Sequence, residues 1–278
     1  MSRSRHLLLT LLTAIVTACG PSSHESASQA TPTPSATETA TPPPTPVPTQ
    51  SGPTVGEYIS GTCTTSVVRP LSIQLITELD CIMPGAVSEI PADNQINASG
   101  IFDYLQTKPG NSLPIVVNDR AGVTLHLNSA LRSLAQQYLL YEWYLAGRCN
   151  IPLAATPGTS NHERGLAVDV QDSTGWRAPL QNHSWHWIGS SDPVHYDYTG
   201  SGVVNIQGTS VLAFQRLWNL NHPGDTIAED GAYGPATATR LKKSPVNGFP
   251  QGSTCGAQPF AGYSYDAAAD TEPETCAL

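Results

Sequence analysis

The chain has 278 residues, of which 13 % are charged, about half the roughly 25 % usual in soluble globular proteins. With 24 Pro and 23 Gly, that composition excludes a coiled coil. The net charge of -9 excludes the basic footprint by which a protein tracks nucleic-acid phosphates, so no nucleic-acid partner is expected.

Arg3, Arg5 and His6 precede an apolar run, Leu7 to Ala18. Its 12 residues fall short of the roughly 20 that a spanning helix needs, which is the pattern of an export signal. The run closes on Val16-Thr17-Ala18-Cys19, which resembles the cleavage box of bacterial lipoproteins. That resemblance implies a signal over 1–19, a lipid on Cys19 and a membrane as partner; an ordinary secretory signal is the plainer alternative. Residues 20–54 are expected to be a tether. The stretch 21–54 holds 9 Pro, 8 Thr and 6 Ser, too little apolar surface to offset ordering entropy. An extended Pro-rich segment of that length reaches on the order of 100 Å.

With Cys19 assigned to lipid, five Cys remain. Export permits disulfides. The nearest pairings are Cys63 with Cys81 and Cys255 with Cys276, leaving Cys149 as a buried small hydrophobe.

From residue 55 the pattern predicts a short helix near Leu71 to Leu79, a turn at Pro84-Gly85, a short helix over Ile101 to Leu105 and a strand at Ile115 to Val117. A longer helix is predicted over Asn128 to Gly147, where Leu131, Leu134, Ala135, Tyr138, Leu139 and Leu145 recur at helical spacing. A loop follows from Pro152 to Asn161, then a strand over Leu166 to Val170, a loop carrying Trp176, Trp185 and Trp187, and a strand over Val194 to Tyr198. This mixture is an α+β class with a small antiparallel sheet. Beyond Gly200 two short helices are predicted, one over Ser210 to Asn219 and one opening at Pro235. Residues 244–278 read as a loose acidic tail unless Cys255 and Cys276 staple it.

The sharpest signal is Ser160-Asn161-His162-Glu163-Arg164-Gly165-Leu166-Ala167-Val168-Asp169. Gly165 lets the chain turn, and strand alternation then sets Ala167 and Asp169 on the face opposite Val168 and Val170. In Asp192-Pro193-Val194-His195-Tyr196-Asp197-Tyr198 the same alternation puts His195 and Asp197 on one face. Two His and one carboxylate are the ligand set of an open catalytic zinc site.

These elements resemble the zinc D-alanyl-D-alanine carboxypeptidases and peptidoglycan endopeptidases, which share a fold with lysostaphin-type peptidases and the hedgehog signalling domain. The resemblance covers roughly 115–200. It implies a zinc ion on His162, Asp169 and His195, a general base at Asp192, and substrate contacts from Arg132, in Ser129-Ala130-Leu131-Arg132, and from Ser160. It also implies metal-assisted hydrolysis of peptidoglycan peptides by a domain spanning 55–200. Two departures stand out: Asp192 occupies a position where many relatives carry Glu, and Ser190 one where some carry His. His183 and His186 read as packing or substrate-side residues, and Asp197 either as an acceptor that orients His195 or as a solvated strand residue.

Residues 203–243, with Phe214-Gln215 and Asp230-Gly231-Ala232-Tyr233-Gly234-Pro235-Ala236-Thr237, resemble a short peptidoglycan-binding repeat. Under the plainer reading its Val211, Phe214, Trp218 and Leu241 are core. The expectation is an exported zinc peptidase of the cell envelope. The competing class is a non-catalytic wall-binding lipoprotein with a structural zinc site.

Overall fold

A computed structural model describes residues 52–256. Cys19, the export signal, most of the tether and Cys276 lie outside the described residues. In chain order the elements are α1 (Tyr58–Gly61), α2 (Arg69–Ile82), β1 (Ser88–Glu89), β2 (Ile96–Asn97), β3 (Tyr104–Leu105), α3 (Thr107–Asn118), β4 (Leu125–Ser129) and α4 (Leu134–Leu145). Then come β5 (Ala167–Val170), α5 (Ser173–Asn182), β6 (Trp185–Trp187), β7 (His195–Tyr198), α6 (Thr209–Asn221) and α7 (Pro235–Lys243). Among the described residues no helix is long and apolar enough to cross a membrane.

The α+β class is as expected. Five strands are ordered β2-β4-β5-β7-β6, antiparallel throughout except for the parallel β2–β4 pair, and β1 pairs with β3 in a separate two-stranded sheet. One sheet face packs against α3 and α5: Val168, Val170 and Tyr196 join Leu113, Val116, Val117, Trp176 and Leu180 in one buried cluster. This leaves Asp169 and His195 on the other face, directly opposite one another across the β5–β7 register.

A second core forms between α2, α4, α6 and α7. Leu71, Leu75, Leu134, Tyr138 and Trp143 meet Val211, Phe214, Leu217, Trp218 and Leu241 there. The apolar positions of the repeat-like segment are therefore core, sharing one cluster with α2 and α4.

Several local expectations are corrected. The helix expected over Asn128 to Gly147 starts at Leu134, because Asn128 and Ser129 belong to β4. Ser133 caps the helix: its hydroxyl accepts from the Gln136 amide, and the Gln136 side chain accepts from the Ser133 amide. Ile115 to Val117 lies in α3, where Val116 and Val117 are buried and Ile115 is exposed. Pro109 and Pro114 obscure that helix in the sequence. Ile101 to Leu105 is not helical; it forms the Phe102–Leu131 bridge and β3. The Trp-rich stretch read as a loop contains α5 and β6.

The nearest-neighbour disulfides are also replaced. Cys63 bonds Cys149 and Cys81 bonds Cys255. Loop-closure entropy grows only as the logarithm of length, so the fold and not sequence proximity selects partners. The start of the 244–256 segment is packed and not loose, with Val246 and Phe249 buried, and the more exposed residues that follow are tied down where the fully buried Glu78 carboxylate accepts from the Thr254 amide at 2.6 Å and hydroxyl at 2.7 Å.

Candidate metal centre

Three separate elements bring the centre together. Gly165, at φ +62°, turns the chain from the His162 loop into β5, and a Cβ there would sit 3.0 Å from the Gln106 amide nitrogen and from Val87 Cγ1. That turn allows His162 and Asp169 to face one another. His195 comes from β7.

His162 is 1 % exposed, and its Nδ1–H donates to the Ala130 carbonyl at 2.7 Å. Its Nε2 thereby faces the centre, 3.3 Å from Asp169 Oδ1 and 3.2 Å from His195 Nδ1. The other nitrogen of His195, Nε2, donates to Asp197 Oδ1 at 2.8 Å, and His195 Nδ1 lies 3.1 Å from Asp169 Oδ1. Asp197 is thus the orienting acceptor of the two readings. With His162 Nδ1 and His195 Nε2 held by outer partners, the remaining imidazole nitrogens and a carboxylate oxygen converge, an arrangement that a cation stabilises. These donor atoms all lie within 4.8 Å of one another, so they could hold a metal ion.

The electrostatics point the same way. Burial alone would lower the His195 pKa, yet the bonds to Asp169 and Asp197 push it up to about 9: the cluster favours positive charge at this position. Burial and the Arg132 guanidinium lower His162 to about 4, keeping it neutral. Asp169 is held well below the usual carboxylate range; burial opposes this, but His162, Arg132 and His195 outweigh it.

Arg132 lies between β4 and α4. Its Nη2 donates to Asp169 Oδ2 at 2.5 Å and its Nη1 to Gln137 Oε1 at 3.4 Å. Ser160 is buried in the loop before His162, its Oγ accepting from the His162 amide at 3.2 Å. Asp192 lines the same cavity of about 280 Å³ as His162, Asp169, His195, Arg132 and Ser160. Burial and the nearby Asp169 carboxylate raise its pKa to about 6. The structure thus brings all six singled-out residues into one cleft. His183 is elsewhere, paired with Asp119, and His186 does not line the cleft.

Residue patterns gave no notice of the supports around these groups. The Pro193 carbonyl, next to Asp192, accepts from Ser173 Oγ and from Trp187 Nε1, the latter at 2.9 Å. Arg177 stacks on the Trp187 ring at 3.6 Å. This clamp fixes the segment that carries Asp192. Trp187→Phe keeps the ring and removes the N–H, and is expected to cut turnover roughly tenfold through misplacement of Asp192 while metal content stays unchanged. Full turnover in that variant would show that the clamp does not position Asp192. Glu163, fully buried, accepts from the Gly158 and Ser160 amides and from Ser210 Oγ of α6 at 2.8, 3.3 and 2.8 Å. Burial raises its pKa to about 7, against the pull of these three donors. Glu163 thereby ties the Ser160 loop to the second core.

Residues 116–189 match the VanY family model, D-alanyl-D-alanine carboxypeptidase. Over this segment the chain is similar to the VanY family. The VanY-type match includes Arg132, Ser160, His162 and Asp169, and it ends just before Asp192 and His195. No curated protein matches the chain.

Proposed function

We propose that this chain is an exported zinc peptidase that hydrolyses amide bonds in the peptides of peptidoglycan. At family level the VanY-type match supports a D-alanyl-D-alanine carboxypeptidase-like peptidoglycan hydrolase. The observation that carries the finer reading is the convergence of His162 Nε2, Asp169 Oδ1 and His195 Nδ1 in a cleft that also holds Asp192. A structural zinc site would be closed by four protein ligands; this group supplies three and opens to a cavity.

His162, Asp169 and His195 would hold the zinc. When bound, zinc supplies Lewis acidity, polarising the scissile carbonyl and acidifying water. Asp192 accepts the proton of the attacking water at its carboxylate and returns it to the leaving amine. Arg132 has five N–H donors; those not spent on Asp169 and Gln137 are available to the carbonyl oxygen as negative charge develops there. Ser160 accepts the His162 amide and keeps its own hydroxyl hydrogen for a bound peptide. A lipid at Cys19 and the tether would hold this domain at a membrane within reach of the wall.

Digesting purified muropeptides with the protein and weighing the products tests the proposal. Masses reduced by hydrolysis of a peptide bond are expected, abolished by a zinc chelator and restored by added zinc. Muropeptides left intact under all three conditions would contradict it.

A further inference from the structure

We infer that Arg164 and Asn161 are positioning residues of the metal centre: Arg164 fixes the Asn161 side chain, and Asn161 holds the Asp197 carboxylate against His195. The inference rests on the ligand role proposed above for His195.

The two ligand imidazoles are oriented by unlike partners. His162 Nδ1 meets the Ala130 carbonyl, a backbone group that cannot swing away. His195 Nε2 meets Asp197 Oδ1 at 2.8 Å, and that acceptor sits on a side chain that can rotate. The Asp197 side chain is 23 % exposed, so water competes for its oxygens. An acceptor of this kind keeps a ligand in place only if something holds the acceptor in turn.

Asn161 supplies that hold. It lines the same cleft, stands directly before His162 in the chain, and its side chain hydrogen-bonds the Asp197 carboxylate. An ionised carboxylate only accepts, so the Asn161 amide must present its NH2 to Asp197 and its oxygen elsewhere. Arg164 takes the oxygen: its Nη1 donates to Asn161 Oδ1 at 3.1 Å. Arginine has donors alone, so this bond fixes which way the amide faces. Every donor thus meets an acceptor from Arg164 through Asn161 to Asp197, where the His195 N–H arrives from the other side. The turn keeps the first two residues in reach, because the Asn161 carbonyl also accepts from the Arg164 amide at 3.2 Å. Arg164 Nε is buried without a partner among the described residues, so the guanidinium is held here at a cost that its bond to Asn161 helps to offset.

Proton NMR of the metal-free protein, labelled with nitrogen-15 at histidine, reads this row of bonds without any metal. The wild type should show a slowly exchanging His195 Nε2–H, assigned by its absence from His195→Ala. In Asn161→Leu and in Arg164→Met that proton should exchange with water about tenfold faster, while the His162 Nδ1–H stays unchanged. Competition with a chromophoric chelator should give a zinc Kd raised about tenfold in both variants, the low end of what outer partners of a ligand contribute. Arg164→Lys keeps a donor for Asn161 Oδ1 and should lie closer to the wild type than Arg164→Met in both readouts. If Asn161→Leu does not fold, Arg164→Met carries the same test. Unchanged exchange and unchanged zinc affinity in Arg164→Met, with the wild type binding zinc, overturn the inference and leave the metal centre standing. A wild type that binds no zinc overturns the metal centre itself and, with it, the role assigned to these two residues.

Discussion

Asp192→Asn is expected to keep its zinc and lose about 10²- to 10⁴-fold in turnover, the usual contribution of one positioned general base. The amide of Asn matches the carboxylate in size, so the cavity and the Pro193 clamp survive while the proton acceptor disappears. The pH profile gives a second readout. Burial and Asp169 raise Asp192 to about 6, and a bound dication pulls it back down. The base must be ionised to act, so kcat/KM should fall on an acid limb with its midpoint at about pH 6 or below and be flat from about one pH unit above that midpoint. The Asn variant should lack the limb. A fully active Asp192→Asn protein would transfer the base role to another group, with Asp197, the cleft carboxylate outside the proposed ligand set, the next candidate.

The second large effect is on stability. Phe214 of α6 is completely buried in the core shared by α2, α4, α6 and α7. Phe214→Ala removes a ring whose neighbours can close the void only in part, which costs about 3–5 kcal/mol. For a folded unit of this size, that corresponds to a fall in Tm of roughly 6–20 °C. The centre should weaken with it, because Ser210, one turn before Phe214, holds Glu163 and through it the Ser160 loop. A Tm lowered by less than about 2 °C would show that residues 203–243 are an appendage carrying their own packing.

The site was far more legible in the sequence than the fold around it. Strand alternation put Asp169 and His195 on matching faces, and the register places them opposite each other, because a period of two leaves a short strand no other way to bury Val168, Val170 and Tyr196. The start of α4 was legible too, since Ser133 and Gln136 form a capping box, but helical spacing in Leu131 and beyond masked it. Ile115 to Val117 is a short apolar run, which periodicity alone assigns equally to strand or helix. The disulfides and the Trp187–Pro193 clamp join residues far apart in sequence or differently spaced from any motif, so only the folded chain reveals them.

Zinc content tests the central claim most directly. Elemental analysis of the purified protein should find one zinc per chain, and His195→Ala, with an unchanged circular dichroism spectrum, should retain less than about a tenth of it, since zinc affinity rests on the full ligand set. Equal zinc in the two proteins, or none in either after reconstitution, would contradict a metal centre built from His162, Asp169 and His195.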